Sequence, residues 1–235
     1  PGTQVARSYD EILADPAEQL VAAAAVPNER GAIGCRTMSA GKDYFTDKTP
    51  FTAFDQLAEA RRVTAATGRK YMVYFSERLH VECAMHAGDL VHGGAIGKVI
   101  QVIGLGPHRI GDKAGRPAWF FDKARYGGIL CDIGSHQCEQ FLAYTGATDA
   151  RVEFARAENF NHPDHPGLED FGEAALVGNN GASFFFRVDW FTPAGLGTWG
   201  DGRTMILGTD GYIELRKYID VGRDKTGDHL YLVNH

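Results

Sequence analysis

The sequence lacks several features that would assign it at once to a class of protein. No apolar run approaches the roughly 20 residues that a membrane-spanning helix needs, and the first residues do not have the form of a signal peptide. Charges of one sign never form a long run, although 30 Asp and Glu outnumber 24 Lys and Arg. We therefore expect a cytoplasmic protein that acts on small molecules and binds neither nucleic acid nor membrane.

Cysteine is also scarce. The four cysteines, at positions 35, 83, 131 and 138, form no CxxC pair, and in a chain of 235 residues they indicate reduced thiols rather than a disulfide framework. Cys131, His136 and Cys138 lie near one another in the sequence, but their spacing matches no common zinc pattern. We predict no metal site.

One glycine motif is missing where it would matter most. No GxGxxG run follows a strand in the N-terminal part of the sequence, and such a run lets a dinucleotide pyrophosphate approach a helix N-terminus. We expect the chain as it stands to bind dinucleotides poorly. It begins at Pro1 without a methionine, and both ends resemble the interior of a fold, so we also expect it to be part of a longer chain.

The first part of the sequence predicts alternating strands and helices. Apolar runs predict strands at residues 20–26, 44–46 and 70–75. Helices are predicted at residues 8–15, 28–40 and 52–68. Short links between such elements favour parallel strands with right-handed crossovers. Residues 1–76 are therefore predicted to be the second half of a Rossmann domain, a doubly wound parallel sheet that binds dinucleotides.

The pattern changes after residue 76. Helices are predicted at residues 79–92 and 132–144. Period-two alternation predicts strands at residues 98–105, 151–158, 171–177, 182–190, 204–207 and 212–216. The fold class is therefore α/β, with residues 77–235 forming an α+β domain for substrate binding and oligomerisation, built on an open and mostly antiparallel sheet.

Polar residues follow the three strands predicted in the first domain. Ligands of open parallel sheets bind at the carboxyl ends of the strands. Pro27 and Asn28 follow the first strand, Asp47 and Lys48 the second, and Arg78 comes soon after the third. The position of Lys48 predicts a functional lysine, although an ordinary surface lysine is the alternative.

The segment Gly127–His136 has a second set of candidate residues. Asp132 is predicted to cap a helix, and His136 would follow on the same helical face four residues later. Oxidation of an alcohol needs a base with a pKa near neutrality, which histidine supplies, and an ammonium such as that of Lys48 can stabilise the alkoxide. An N-cap and a core histidine without catalytic roles fit the same motif equally well.

Five sequence elements, taken in order, resemble the glucose–fructose oxidoreductase and inositol dehydrogenase family, often written Gfo/Idh/MocA. The family motifs are TPN, GK…EKP, G.IGKV, GGG…D.G.H and a G..G hairpin. Their matches here are Val26-Pro27-Asn28, Gly41-Lys42 with Asp47-Lys48-Thr49-Pro50, Gly97-Lys98-Val99, Gly127–His136 and Gly208–Gly211. The resemblance extends from about residue 8 to about residue 216.

The resemblance implies an oxidoreductase that uses NAD or NADP to oxidise or reduce a hydroxyl of a sugar, inositol or related polyol. It also implies a homodimer or homotetramer. The catalytic residues that it implies are Lys48, Asp132 and His136. The implied cofactor-binding residues are Pro27, Asn28, Asp47, Lys48, Arg78 and Trp119.

One motif departs from the family, because EKP is replaced by Asp47-Lys48-Thr49-Pro50, which we interpret as a subfamily variant. Two alternatives to the dehydrogenase stay open. The chain could be a sugar-binding or dinucleotide-binding protein without redox activity, or a lyase or hydrolase that oxidises its substrate transiently with bound NAD.

Overall fold

The alternation at the start of the chain produces strands and helices close to the predicted ranges. The structure is a computed structural model that describes residues 2–223 and 225–235. Its first strands are β1 (Leu20–Ala23), β2 (Asp43–Asp47) and β3 (Tyr71–Tyr74). Its first helices are α1 (Tyr9–Ala14), α2 (Pro27–Ser39) and α3 (Phe54–Thr67).

These elements form a parallel sheet in the order β1-β2-β3, with Val21 opposite Tyr44 and Tyr44 opposite Tyr71. Met38 of α2 and Val63 of α3 are buried with Tyr44 in the core of this part. A continuous apolar run such as residues 20–26 is typical of a strand buried on both faces, but Leu20 is 49% exposed, so β1 is not. β1 lies at the edge of the sheet in the described residues, where less of its surface is covered.

The chain divides into two compact units. The first unit is Pro1–Tyr74 with Ala124–Gly127, and the second unit is Phe75–Lys123 with Gly128–His235. The assignment of these parts to dinucleotide binding and substrate binding stays a prediction.

The second unit contains an α+β arrangement, as predicted. Its helices are α4 (Ser76–Leu79), α5 (Glu82–His92), α7 (Ile129–Asp132) and α8 (Gly134–Thr145), and α6 (Lys123–Tyr126) lies at the boundary of the units. The strands are β4 (Val99–Pro107), β5 (Ala150–Glu158), β6 (Phe171–Gly178), β7 (Ser183–Asp189), β8 (Arg203–Gly208), β9 (Gly211–Arg216) and β10 (His229–Asn234).

The strands of the second unit form one open sheet in the order β10-β9-β8-β4-β7-β6-β5. β4 and β7 are parallel, and the other pairs in the described residues are antiparallel. The inward side chains of β7 pack under α8, where the rings of Phe141 and Phe184 are stacked with centroids 4.7 Å apart. The fold class predicted from the sequence is confirmed.

Two predicted helices begin later than expected, and each follows a short separate helix. The helix predicted at residues 79–92 corresponds to α5, which begins at Glu82 after α4 has ended at Leu79. The helix predicted at residues 132–144 corresponds to α8, which begins at Gly134 after α7 has ended at Asp132. Among the described residues, no helix is both long enough and apolar enough to cross a membrane.

Candidate functional site

The carboxyl ends of β1 and β2 are joined by one buried arginine. Arg30 lies in α2 and is 6% exposed. Its Nε donates to the carbonyl oxygen of Ala25 at 2.7 Å, and its Nη1 donates to the carbonyl oxygens of Asp47 at 3.1 Å and of Lys48. The guanidinium can satisfy several carbonyls at once because its donors are held in a rigid fork. Arg30 thus fixes the backbone that carries Lys48.

Lys48 follows β2 directly, and its side chain is partly exposed. Its backbone N–H donates to Oδ1 of Asp47 at 2.8 Å. The carboxylate of Asp47 therefore accepts a hydrogen bond within the turn, and its role at the cofactor stays a prediction.

The start of α2 has the chemistry of a ligand edge. Pro27 is buried in the first turn, where its missing N–H costs nothing because that N–H would have no partner within the helix. The next residue, Asn28, has a buried Oδ1 atom with no hydrogen-bond partner among the described residues. A buried polar atom of this kind needs a partner. This edge therefore fits a polar ligand such as part of a nicotinamide cofactor.

A glycine turn, made by Gly127 at the end of the first unit and Gly128 in the second, leads into α7. Gly127 and Gly128 have φ of 92° and 84°, a region that favours glycine. The carboxylate of Glu169 accepts from the backbone N–H of Ile129 at 2.9 Å and pairs with Lys123. Side chains near Gly128 leave no room for a Cβ, which would lie 2.5 Å from Oε2 of Glu169. Glu169 therefore holds the beginning of α7.

The prediction that Asp132 caps the helix of His136 was wrong. Asp132 is the last residue of α7, and α8 begins two residues later with Ile133 at the N-cap position and no side-chain cap. The two residues therefore do not share one continuous helix. The break occurs where Gly134 packs on Phe186, with a virtual Cβ 3.0 Å from the ring, and this tertiary contact is not visible in the sequence pattern.

His136 lies in the first turn of α8 and is 2% exposed. Its imidazole meets the ring of Phe75 edge to face, with centroids 5.9 Å apart. Burial limits the access of water to the ring. Asp132 is partly exposed and acts electrostatically on Arg116, whose pKa is lowered by burial and raised by Asp132.

A buried polar network adjoins His136. Glu77 of α4 is 3% exposed, and its Oε2 accepts from Nε2 of Gln137 at 2.7 Å and from Nζ of Lys217 at 3.4 Å. Lys217 also donates to Oε1 of Gln140 at 2.5 Å, and Nε2 of Gln140 donates to the carbonyl oxygen of His136 at 2.9 Å. On the other side of the carboxylate, Oε1 of Glu77 lies 3.6 Å from Nε2 of His108.

Glu77 is held as a carboxylate. Burial alone raises its pKa, but Lys217, His136 and His108, in that order, lower it, and the resulting pKa is about 2. The carboxylate is therefore charged at every pH at which the protein is expected to work, and its charge is balanced by the buried ammonium.

The two other predicted cofactor residues have structural partners within the second unit. Nε of Arg78 donates to both carboxylate oxygens of Glu139, at 2.8 and 3.0 Å. Trp119 lies in a 3-10 helix (Ala118–Phe121) and packs against the core, 6.2 Å from the ring of Phe120. Contact of either residue with a cofactor remains a prediction.

Sequence reasoning did not identify Arg30, Glu77, Glu169 or Lys217. Each is a charged residue that the fold buries or half-buries against a backbone or a distant partner. Glu77 directly precedes Arg78 at a predicted strand end, and this position was the one available signal. The spacing of 140 residues between Glu77 and Lys217 left no signal for their pairing.

The two units together define a class of protein, one with a parallel α/β part and an α+β part whose helices cover one face of an open sheet. The sequence model of the GFO/IDH/MocA C-terminal domain matches residues 84–214, more than half of the chain. The chain belongs to the GFO/IDH/MocA family, which confirms the resemblance found in the sequence.

Comparisons with individual proteins agree with this family. A crystal structure from Erwinia carotovora atroseptica SCRI1043, provisionally described as an oxidoreductase, is 53% identical, with a TM-score of 0.93, and the match covers 97% of this chain and 68% of that one. An uncharacterized oxidoreductase of Schizosaccharomyces pombe (strain 972) is 26% identical over 161 residues, 66% of this chain. The chain spans 43% of that relative's length.

A more distant structure shares the fold. Levoglucosan dehydrogenase in complex with NADH and levoglucosan is 18% identical, with a TM-score of 0.79, and the match covers 98% of this chain and 64% of that one. At this identity the likeness shows the fold alone.

Proposed function

We propose that the protein is an NAD- or NADP-dependent oxidoreductase that oxidises, reversibly, a CH–OH group of a sugar, inositol or related polyol. The observation that carries the proposal is a histidine, His136, buried in the first turn of a helix within a family of oxidoreductases. Support also comes from two structures of the same fold, levoglucosan dehydrogenase with NADH and levoglucosan, and the WlbA dehydrogenase from Bordetella pertussis with NADH and UDP-GlcNAcA.

In the proposed mechanism, His136 takes the proton of the substrate hydroxyl as the carbon loses hydride, and the product is a carbonyl. A bound nicotinamide cofactor supplies the hydride acceptor. The ammonium of Lys48 stabilises the developing alkoxide, and the backbone bonds from Arg30 keep that lysine in place. Asp132 forms a hydrogen bond with a substrate hydroxyl. The cofactor is bound by Pro27, Asn28, Asp47, Arg78 and Trp119.

The first test is a fluorescence titration of the purified protein with NADH and with NADPH, followed by turnover assays on sugars and polyols. In a protein that also carries the GxGxxG motif missing from this sequence, we expect saturable binding of one nucleotide and turnover of at least one substrate. His136→Gln should lower kcat by about 10²–10⁴-fold, the usual contribution of a general base, without changing the Kd of the nucleotide. His86→Gln, the same change at an exposed histidine of α5, is the control.

Other outcomes distinguish the alternatives. Tight sugar or nucleotide binding without turnover would indicate a binding protein, and product formation without net NADH would indicate a lyase or hydrolase. Full turnover in His136→Gln would refute the role of the histidine.

The protein is also proposed to be a homodimer or homotetramer of the cytoplasm. The open face of the large sheet exposes apolar side chains, among them Met205 and Leu207 of β8, each 41% exposed. Cys35, Cys83 and Cys138 are free thiols, which suits a reducing compartment.

A further inference from the structure

Packing alone does not explain the buried charged side chains of the network around Glu77. Its members come from α4, from the residue after β4, from α8 and from the residue after β9, and all are less than one-tenth exposed. The members are Glu77, His108, His136, Gln137, Gln140 and Lys217. Buried ion pairs often contribute little net stability, because desolvation offsets the attraction between the charges. A role at His136 would account for the buried ion pair of Glu77 and Lys217.

The charge balance of the network changes when His136 takes a proton. With both histidines neutral, the carboxylate of Glu77 and the ammonium of Lys217 cancel. A proton on His136 then adds a positive charge at a site that is 2% exposed, and such a charge is costly without a nearby counter-charge. Glu77 supplies it, since the electrostatic interaction with His136 is among those that keep the pKa of Glu77 low.

Geometry also connects Glu77 to the position of His136. Gln137, the next residue in α8, donates to Oε2 of Glu77 at 2.7 Å. Gln140, one turn later, donates to the carbonyl oxygen of His136 at 2.9 Å and accepts from Lys217. The carboxylate therefore anchors the first turn of α8 and also interacts electrostatically with the imidazole of His136.

We propose that Glu77, whose charge is balanced by that of Lys217, is a positioning residue for His136. Glu77 holds the first turn of α8 in place, and it stabilises the imidazolium that forms when His136 takes the substrate proton. The inference rests on the role proposed above for His136. Other charged or titratable groups also face this network. They are His108 after β4, Asp132 and Cys131 on α7, Arg116 beside Asp132, Glu139 and Tyr144 on α8, Arg78 on α4, Cys83 on α5 and Tyr218 after β9.

The test measures the imidazole pKa of His136 directly, in protein labelled with ¹³C and ¹⁵N at histidine, without cofactor or substrate. His136→Gln assigns the resonance among the nine histidines. In Glu77→Gln, Lys217 remains as an unbalanced positive charge, so the pKa of His136 should fall by about one unit or more. In Lys217→Met, the carboxylate is unbalanced and the pKa of His136 should rise.

The double variant Glu77→Gln/Lys217→Met removes both charges and should give a pKa between those of the single variants. It also keeps the test valid if Glu77→Gln alone does not fold because Lys217 is left buried without a counter-charge. Glu158→Gln, the same change at an exposed ion pair on β5, is the control and should leave the pKa of His136 unchanged. The proposal is overturned if the pKa of His136 differs by less than a few tenths of a unit among all the folded variants.

Kinetics separate this inference from the proposed function. If the wild-type protein turns over substrate, the acid limb of its kcat/KM profile should move with the pKa of His136 in each variant, while nucleotide binding stays constant. Absence of turnover in the wild type would refute the dehydrogenase, yet the NMR titration would still decide the coupling of Glu77 and His136. An acid limb that stays fixed while the pKa of His136 moves would remove His136 as the base.

Discussion

In several places a single side chain fixes the backbone of this protein by making several hydrogen bonds. Arg30 is the example in the first unit, because one guanidinium serves carbonyl oxygens at the ends of two parallel strands. No other side chain type offers as many donors in a fixed geometry. The position of Lys48 is thus determined by a residue 18 positions earlier in the chain.

Replacement of Arg30 tests this arrangement. Arg30→Met should lower the free energy of unfolding of the first unit by about 2–4 kcal/mol, since several buried carbonyls lose a charged donor. Amide hydrogen exchange of β1 and β2, measured by mass spectrometry, reports this loss. Any turnover should fall as well, because the backbone at Lys48 is released.

Arg61→Met, at an exposed position of α3, is the matched control and should leave exchange nearly unchanged. Equal protection of β1 and β2 in both variants would contradict the role of Arg30.

At the scale of elements, close packing at glycine sets how near helices lie to the sheets. In the first unit, a Cβ at Gly34 of α2 would lie 2.3 Å from Cε2 of Tyr71 and 2.7 Å from Cδ1 of Tyr44. The two rings are packed edge to face with centroids 4.9 Å apart, so neither can move easily. A helix with any larger residue at this position could not lie so close to β2 and β3.

Gly34→Ala should therefore destabilise the protein by about 1–3 kcal/mol, the usual cost of overpacking, despite the better helix propensity of alanine. Urea unfolding followed by circular dichroism measures the change. Gly88→Ala in α5 is the control, because its Cβ would come no nearer than 4.0 Å to Cε1 of Tyr144, and it should stabilise the protein by up to about 1 kcal/mol. If both substitutions stabilised the protein, α2 would pack less closely than the structure indicates.

The elements that could be predicted from the sequence are those determined by local pattern. One example is the helix predicted at residues 8–15, which is capped by Ser8, whose Oγ accepts from the N–H of Glu11 at 3.2 Å. The turn between β8 and β9 is another. The break between α7 and α8, where Gly134 packs against Phe186, could not be predicted. Hydrophobic periodicity contains no information about such contacts.

The candidate site shows the same division. His136 and Lys48 could be proposed from their residue types and neighbours in the sequence. Glu77 and Lys217 could not be paired, because 140 residues separate them and only the folded second unit brings them within 3.4 Å. Charged residues usually lie at the surface, so sequence reasoning assigns such residues to solvent unless a partner is known.

At the scale of the whole molecule, one face of the large sheet remains without a covering layer in the described chain. Helices pack on its other face, while the open face has a shallow apolar groove lined by Gln101, Ile103, Met205, Leu207, Tyr212 and Glu214. Exposed apolar patches of this kind commonly mark protein interfaces. A second copy of the chain is the partner proposed above.

Met205→Glu should shift the protein toward the monomer, because it places a charge in the centre of the proposed interface, where desolvation without a partner is costly. Multi-angle light scattering across a range of concentrations measures the mass. The matched control is Met85→Glu on α5, the same substitution at a methionine that is 40% exposed, against 41% for Met205, but lies on the helical side of the second unit. Loss of self-association in the first variant alone would place the interface on the sheet. An equal mass for both variants and the wild type would mean that the open face has another use or that the protein is a monomer.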